Sequence, residues 1–364
     1  MTSLHYAGID VHKETMDVLI FRDTERQPYL ERRIPNREQT VRKLFGKLLA
    51  HGSVIACYEA GCMGFELQRL LEGMGITSIV TAPGKVPRRT TDRVKTDRRD
   101  ARRLAEQLRA GTLEAIHIPS REDEAVRDYL RAREDVRGEQ VKAKQRLQKY
   151  LLRHGYVYES VRYWTLRHDR WLRGLEFDKP LLKETFDQYY YRIQELREQL
   201  RCMDKRIEEI ALSEEYACRV KKLRCLKGID YMTALSIVCE VGDFKRFGHA
   251  ESFMSFLGLV PQERSSGEKR RQGGITKSGN THIRKLLIES SWHYRYKSLP
   301  SKRLTERRRG QPSEIIAYAD RAMRRLQGKY FHLLLKGKRP QVAVTAVARE
   351  LAGFVWGLMV GQTV

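Results

Sequence analysis

The sequence predicts a mixed α/β domain at the front of the chain and a mainly α-helical remainder behind it. Three observations carry that expectation. Short β-type runs alternate with helical stretches up to residue 81, the β signal fades after Pro119, and a heptad of apolar residues runs through residues 182–210.

Taken in order, residues 6–11 and 16–21 are short β-type runs separated by the polar residues 12–15, which is hairpin spacing. A third strand is expected near residues 29–34. A helix over 38–49, a buried strand over 53–58, a helix over 65–74 and a strand over 77–81 complete the alternation. Three hairpin strands followed by alternating helix and strand indicate a mixed sheet of the ribonuclease-H kind. Residues 121–153 are strongly charged and helical, with Val126, Tyr129, Leu130, Leu147 and Leu151 on the apolar side.

Leu182, Phe186, Tyr189, Ile193, Leu196, Leu200, Met203, Ile207 and Ile210 then recur at alternating steps of four and three. Such a coiled-coil seam calls for a partner helix, supplied by self-association or by antiparallel pairing within the chain. A long helix packed on its own domain is the plainer alternative. From about Cys218 a further unit begins. Leu226-Lys227-Gly228-Ile229 followed by Thr233-Ala234 fits two short helices joined by a glycine turn, either a helix-hairpin-helix that offers N–H groups to phosphate or an ordinary helical hairpin. The tail over 312–359 reads as helices separated near 337–340. The expected domains are residues 1–120, a helical coiled-coil linker and oligomerisation region over 121–215, and a mainly α-helical C-terminal domain over 216–364.

Composition narrows the partners. The 364 residues include 41% apolar side chains, which excludes global disorder, and 70 Lys and Arg against 46 Asp and Glu leave a formal charge of +24. That excess is spread from Lys85 to Arg349 and is best neutralised by a polyanion. Nucleic acid leads, with an anionic membrane surface as the weaker alternative. There is no run of about 18 apolar residues and no basic-then-apolar start, so neither a membrane span nor a secretory signal is expected. Cys57, Cys62, Cys202, Cys218, Cys225 and Cys239 show no C-x-x-C spacing and read as reduced thiols. A cytoplasmic protein, associated with the nucleoid when bound to DNA, is the expectation.

Asp10 closes the first strand in Gly8-Ile9-Asp10-Val11-His12-Lys13, and Glu59 closes the central buried strand in Cys57-Tyr58-Glu59-Ala60-Gly61. Neighbouring carboxylates at buried strand ends are costly unless a cation compensates them, and a divalent metal is the simplest one. Asp97 and Asp100 stand three apart at the start of a helix, which puts both on one face. Four such carboxylates could hold two Mg²⁺ ions about 4 Å apart for in-line attack at a phosphodiester. Lys95, Arg98, Arg99, Arg102 and Arg103 could clamp the nucleic-acid backbone on either side. The competing reading of the Asp pair is a solvated, salt-bridged helix face; Asp92 and Asp169 are assigned to that class.

Residues 264–280 are polar, basic and rich in glycine. A flexible loop of this kind, with Lys269, Arg270, Arg271 and Lys277, can wrap a phosphate backbone. A hydroxyl within it could serve as a nucleophile if a base or metal takes its proton; a plain surface loop that binds electrostatically is the alternative.

These motifs together resemble the DEDD insertion-sequence transposases, the IS one-ten family related to the Piv and MooV DNA invertases. The resemblance runs almost end to end. It rests on residues 8–13, Glu59, and Lys95-Thr96-Asp97-Arg98-Arg99-Asp100-Ala101. It continues through Gly242-Asp243-Phe244-Lys245-Arg246-Phe247, Leu257-Gly258-Leu259-Val260-Pro261, Ser265-Ser266-Gly267, residues 274–280, and Ala346-Val347-Ala348-Arg349-Glu350-Leu351-Ala352.

The resemblance implies a RuvC-like domain whose metal-binding tetrad is Asp10, Glu59, Asp97 and Asp100, with Mg²⁺ or alternatively Mn²⁺. It also implies a serine nucleophile that forms a covalent phosphoserine with DNA, placed at Ser266 with Ser265 as second choice. Implied partners are double-stranded DNA (element ends or junction, and target), a structured non-coding guide RNA, and further copies of the chain as a dimer or tetramer. In such an oligomer the metal domain of one protomer meets the serine domain of another. Residues 60–65, Ala-Gly-Cys-Met-Gly-Phe, depart from the Thr-Gly-type continuation of the family pattern and alter the turn after Glu59. Two rival functions stand beside this reading. One is a junction-resolving nuclease that activates water with the same carboxylates; the other is a non-catalytic nucleic-acid-binding architectural protein.

Overall fold

A computed structural model describes residues 3–86, 96–266, 269–296 and 299–362, with no side chain described over 264–271. The chain divides into two compact units, Met1–Ile118 and Pro119–Val364.

The first unit is a five-stranded sheet. β1 (Ser3–Val11), β2 (Thr15–Arg22) and β3 (Leu30–Pro35) form an antiparallel meander, after which come α1 (Glu38–Leu49), β4 (Gly52–Glu59), α2 (Glu66–Gly73), β5 (Thr77–Thr81) and α3 (Asp97–Arg109). The strand order is β3-β2-β1-β4-β5, with β4 and β5 joining β1 in parallel. Strand periodicity assigns the two faces. Ala7, Ile9, Val18, Ile20, Ala56 and Tyr58 point to one side and form a core with Val41, Phe45 and Leu71 of α1 and α2. Gly8, Leu19, Phe21 and Cys57 point to the other, where the Ala101, Leu104, Ala105 and Leu108 stripe of α3 lies.

At Gly8 the helix α3 lies close against the sheet. A Cβ built there would stand 2.2 Å from the Ala101 carbonyl oxygen and 2.4 Å from the Ala105 nitrogen, so only glycine lets α3 lie this low on the sheet.

The second unit opens with α4 (Arg121–Arg153), α5 (Leu166–Arg173) and α6 (Pro180–Ala211). Ser120 caps α4 by accepting from Asp123 N at 3.0 Å, and Pro180 starts α6 at a position where no N–H partner is needed. The heptad seam finds its partner inside the chain. Phe186, Ile193 and Leu196 pack with Ala143, Leu147 and Tyr150, and the pairs Arg192–Glu139 and Arg133–Asp204 show that α4 and α6 run antiparallel.

Next come α7 (Glu214–Leu223), α8 (Tyr231–Val241), α9 (Ala250–Phe256), the ribbon β6 (Pro261–Ser266) and β7 (Lys269–Ile275), then α10 (Thr281–Ser291), α11 (Lys302–Arg308), α12 (Ser313–Leu335) and α13 (Pro340–Val360). By length and composition α13 would cross a membrane, yet Val344, Val347, Leu351, Val355 and Leu358 are core residues of this unit. All six cysteines are free thiols.

Candidate functional sites

Strand alternation that aims Gly8 at α3 aims Asp10 there too. Asp17 of β2 stands directly across from Asp10 in the antiparallel ladder, and Glu59 ends β4 just past the Ile9–Tyr58 rung. The fourth contribution is the first turn of α3. Thr96 caps it, its hydroxyl accepting from Arg99 N at 3.4 Å, and so sets Asp97 and Asp100 over the same strand ends.

The carboxylates gather in two groups. Asp10 Oδ2 lies 3.3 Å from His12 Nε2, which lies 3.4 Å from Asp97 Oδ2, and the candidate donor atoms of these three residues all fall within 4.8 Å of one another. Arg33 of β3 bridges Asp97 and Asp17, at 2.7 Å to each. In the other group Arg103 bonds Asp100, which is buried, and stands 4.0 Å from Glu59.

Burial pushes the Asp10 carboxyl above its ordinary range; His12 opposes that shift, while Asp97, Asp100 and Asp17 reinforce it. A cation would relieve this crowding. Two carboxylates and an imidazole are a donor set suited to a divalent ion, Mn²⁺ accepting the nitrogen more readily than Mg²⁺. Asp10, His12 and Asp97 therefore form a possible metal site.

His12, Asp17 and Arg33 are the residues of this edge to which sequence reasoning gave no role. For Asp17 a signal existed, because pairing the strands expected over 6–11 and 16–21 about a symmetric turn sets residue 10 against residue 17.

Of the residues expected to clamp a nucleic-acid backbone, Arg98, Arg99, Arg102 and Arg103 lie on the first two turns of α3. Arg98 pairs with Glu31, Arg102 with Glu106 at 2.9 Å, and Arg99 is exposed, while Lys95 and Asp92 lie outside the described residues. Arg98 and Arg102 thus pair with carboxylates of their own domain through solvent-exposed contacts.

In the second unit, the segment expected to be a flexible loop is a two-stranded ribbon. Ser266 pairs with Lys269, Ser265 with Arg270 and Arg264 with Arg271, followed by an irregularity between Pro261 and Glu263. Backbone pairing needs no apolar face, so a polar, glycine-bearing sequence can form it on the surface. Ser266 is the last residue of β6; the side chains of Ser265, Ser266, Lys269, Arg270 and Arg271 lie outside the described residues, as does Gly267.

The root of the ribbon is clamped. Thr276 N donates to Val260 O at 2.9 Å, Lys277 N to Gly258 O at 3.1 Å, Asn280 N to Phe256 O at 3.0 Å, and Arg284 Nη1 to Leu257 O at 2.8 Å. Gly279 at φ +81° makes the turn possible, since a Cβ there would meet Phe256 O at 2.0 Å. Asn280 caps α10 and donates to Glu240 Oε2 at 3.0 Å, and Arg131 holds Glu240 Oε1 at 2.7 Å. Lys277 is exposed at this root.

Comparison with known proteins places both units in one family. Residues 7–155 match the DEDD transposase profile of the IS110 group, and residues 220–304 match the Transposase IS116/IS110/IS902 family. The transposase for insertion sequence element IS1533 of Leptospira borgpetersenii is 39% identical over 342 residues, covering 92% of this chain and 98% of that protein. This chain belongs to the IS110/IS116 family of DEDD-type transposases. A putative transposase, y4qE, of Sinorhizobium fredii is 41% identical over 84% of this chain and 75% of its own length. The transposase for insertion sequence element IS1111A of Coxiella burnetii is similar at 26% identity over 66% of this chain and 67% of its own.

Proposed function

We propose that this transposase excises and inserts an insertion sequence by strand exchange through a covalent phosphoserine at Ser266, with Asp10, Glu59, Asp97 and Asp100 as the metal-binding carboxylates of a RuvC-like domain. The single observation that carries the reading is the convergence of all four carboxylates on one edge of the mixed sheet, Asp10 with Asp97 beside His12 and Asp100 with Glu59 around Arg103. Binding alone gives no reason to gather carboxylates in a chain of charge +24. The strand order β3-β2-β1-β4-β5 with helices on both faces supports the RuvC-like assignment.

A divalent ion, Mg²⁺ or Mn²⁺, would supply Lewis-acid stabilisation of charge on the scissile phosphate. Asp10, His12 and Asp97 would hold it, with Asp100 and Glu59 completing the acidic edge. The Ser266 hydroxyl attacks phosphorus, a Ser Oγ–P bond forms, the P–O bond to the leaving strand breaks, and the departing oxygen gains a proton as the serine loses its own. A strand hydroxyl later reverses the step, so the phosphodiester count is conserved and no nucleotide cofactor is consumed. Ser266 suits this role as the residue at the end of a ribbon rooted by four backbone-directed hydrogen bonds. Guidance by a structured non-coding RNA, pairing with DNA and oligomeric assembly belong to the same proposal; the basic surplus supports the polyanion partners.

The test is a denaturation-resistant protein–DNA adduct formed with Mg²⁺, the flanking non-coding RNA and element-junction DNA. Loss of the adduct in both Ser266→Ala and Asp10→Ala supports the proposal. Loss only in Ser265→Ala moves the nucleophile by one residue. Cleavage with no adduct points to water as the nucleophile, and binding without either reaction to an architectural role.

A further inference from the structure

The second unit contains a cavity of about 820 Å³ beside the turn from α7 to α8 and the C-terminal end of α11. Six cationic side chains line it against four carboxylates. At its centre Asp230 receives Arg307 Nη2 at 2.6 Å and Arg303 Nη2 at 2.9 Å, with Arg224 Nε at 3.5 Å. Asp230 also caps α8 by accepting from Tyr231 N at 2.9 Å. One carboxylate therefore serves three guanidinium groups and a helix terminus. Arg224 Nε and Arg307 Nε remain buried with no hydrogen-bond partner. Arg224 and Arg307 are only 11% and 13% exposed, so this donor capacity is held out of bulk water. Among the described residues, no carboxylate pairs with Lys221 or Arg309, both exposed at the cavity. The Arg224 guanidinium lies over the Tyr231 ring, 3.2 Å from its centroid, which holds a planar aromatic and cationic surface at the wall.

Buried, undersatisfied arginines beside surplus positive charge call for a second anion with several acceptor oxygens, which a phosphate provides. The volume admits a nucleotide, and planar stacking surfaces are how proteins hold unpaired bases. A duplex keeps its bases stacked inside and cannot insert one into such a hollow without unpairing it.

We propose that this cavity seats one nucleotide of a single-stranded polynucleotide, its phosphate on Arg224, Arg303 and Arg307 and its base toward Tyr231. Its lining shares no residue with the four carboxylates of the first unit or with the Ser266 ribbon. It rests on the reading that the chain handles nucleic acid. DNA and RNA share the recognised chemistry.

Fluorescence anisotropy on the full chain tests it, with labelled single-stranded DNA, single-stranded RNA of the same sequence, and the DNA duplex. Arg303→Ala with Arg309→Ala removes two exposed cations and leaves Arg224, Arg307 and the α8 cap in place. A control, Arg201→Ala with Arg206→Ala on α6, removes equal charge elsewhere. The pocket pair is expected to weaken single-strand binding about 10-fold and to lower the salt slope by about one, with the control changing affinity under about 2-fold. Photocrosslinking from a halogenated base in the same strand is expected to label Tyr231. Loss with DNA alone or with RNA alone supports the site and identifies the strand it takes. Equal affinities of pocket and control variants, or a loss confined to the duplex, overturn it. If the unaltered chain binds none of the three, the nucleic-acid reading itself fails, which is a different result from binding that ignores the pocket.

Discussion

Replacing Gly8 by alanine tests whether the close contact between sheet and helix builds the proposed metal site. The added Cβ falls 2.2 Å from Ala101 O and 2.4 Å from Ala105 N, where ordinary contact begins at 3.4 Å, so α3 must retreat by about 1.2 Å. Both atoms belong to helix backbone, and no change of rotamer relieves the clash. For the same reason a second change, Ala105→Gly, does not rescue it. Overpacking of this kind costs about 1–3 kcal/mol. For a unit of this size that is a fall of about 4–12 °C in Tm.

The retreat carries Asp97 and Asp100 away from Asp10, and a misplacement of about 1 Å typically costs about 100-fold in rate. Differential scanning fluorimetry reads the first effect, Mn²⁺ calorimetry and adduct yield the second. A Gly8→Ala protein with unchanged Tm and unchanged Mn²⁺ affinity would refute the claim that this contact sets the carboxylate geometry.

Three further outcomes are expected. Mg²⁺ or Mn²⁺ at about 100 times its dissociation constant adds roughly 2.7 kcal/mol of stability. Asp10→Asn abolishes that response and, because burial and three neighbouring carboxylates destabilise the Asp10 charge, makes the metal-free protein more heat-stable; thermal melts with and without chelator decide it. His168 is buried among Tyr158, Tyr163, Trp164 and Trp171, and burial lowers its pKa against the pull of Asp169. The folded state thus resists protonation. Stability is full above about pH 6.5 and falls as pH drops through and below that value, by at most about 1.4 kcal/mol per pH unit; His168→Phe flattens this dependence in urea titrations. Gly279→Ala forces a side chain onto Phe256 O at φ +81° and unseats the ribbon root, so adduct formation is lost while Mn²⁺ binding is kept.

The parts of the carboxylate site that sequence made legible are those fixed by local rules. Asp10 and Glu59 end β-type runs, and Asp97 and Asp100 follow a Thr cap at helical spacing. Asp17 and Arg33 depend on cross-strand register, which becomes compelling only once the pairing partner is known. His12 sits in a turn, where no periodicity dictates the direction of a side chain. The ribbon of β6 and β7 was hidden because both strands are mostly polar and β7 carries Gly273 and Gly274, so alternation has nothing to mark. The heptad of α6 showed that a partner was needed, and the charged face of α4 gave weaker warning that it lay in the same chain.

The acidic edge holds together because Asp17, Asp97, Asp100 and Glu59 each have an arginine of the protein's own, while Asp10 has His12. Arg33 ties Asp97 to Asp17, and Arg103 stands between Asp100 and Glu59. These arginines do two opposing things. They hold like charges at short range, which keeps the edge assembled before any ion arrives. They also contend with an ion for the same oxygens, since Arg33 and His12 both lie against Asp97 Oδ2. The Arg33 side chain is 56% exposed and its pairing is screened by water, so it is the partner that yields at small cost. Arg103 is only 16% exposed and is harder to displace. On the proposed function, the Asp10, His12 and Asp97 half would therefore be the first to take an ion, and Glu59 and Asp100 would be free for a second cation only once Arg103 had another anion, such as a phosphate of DNA.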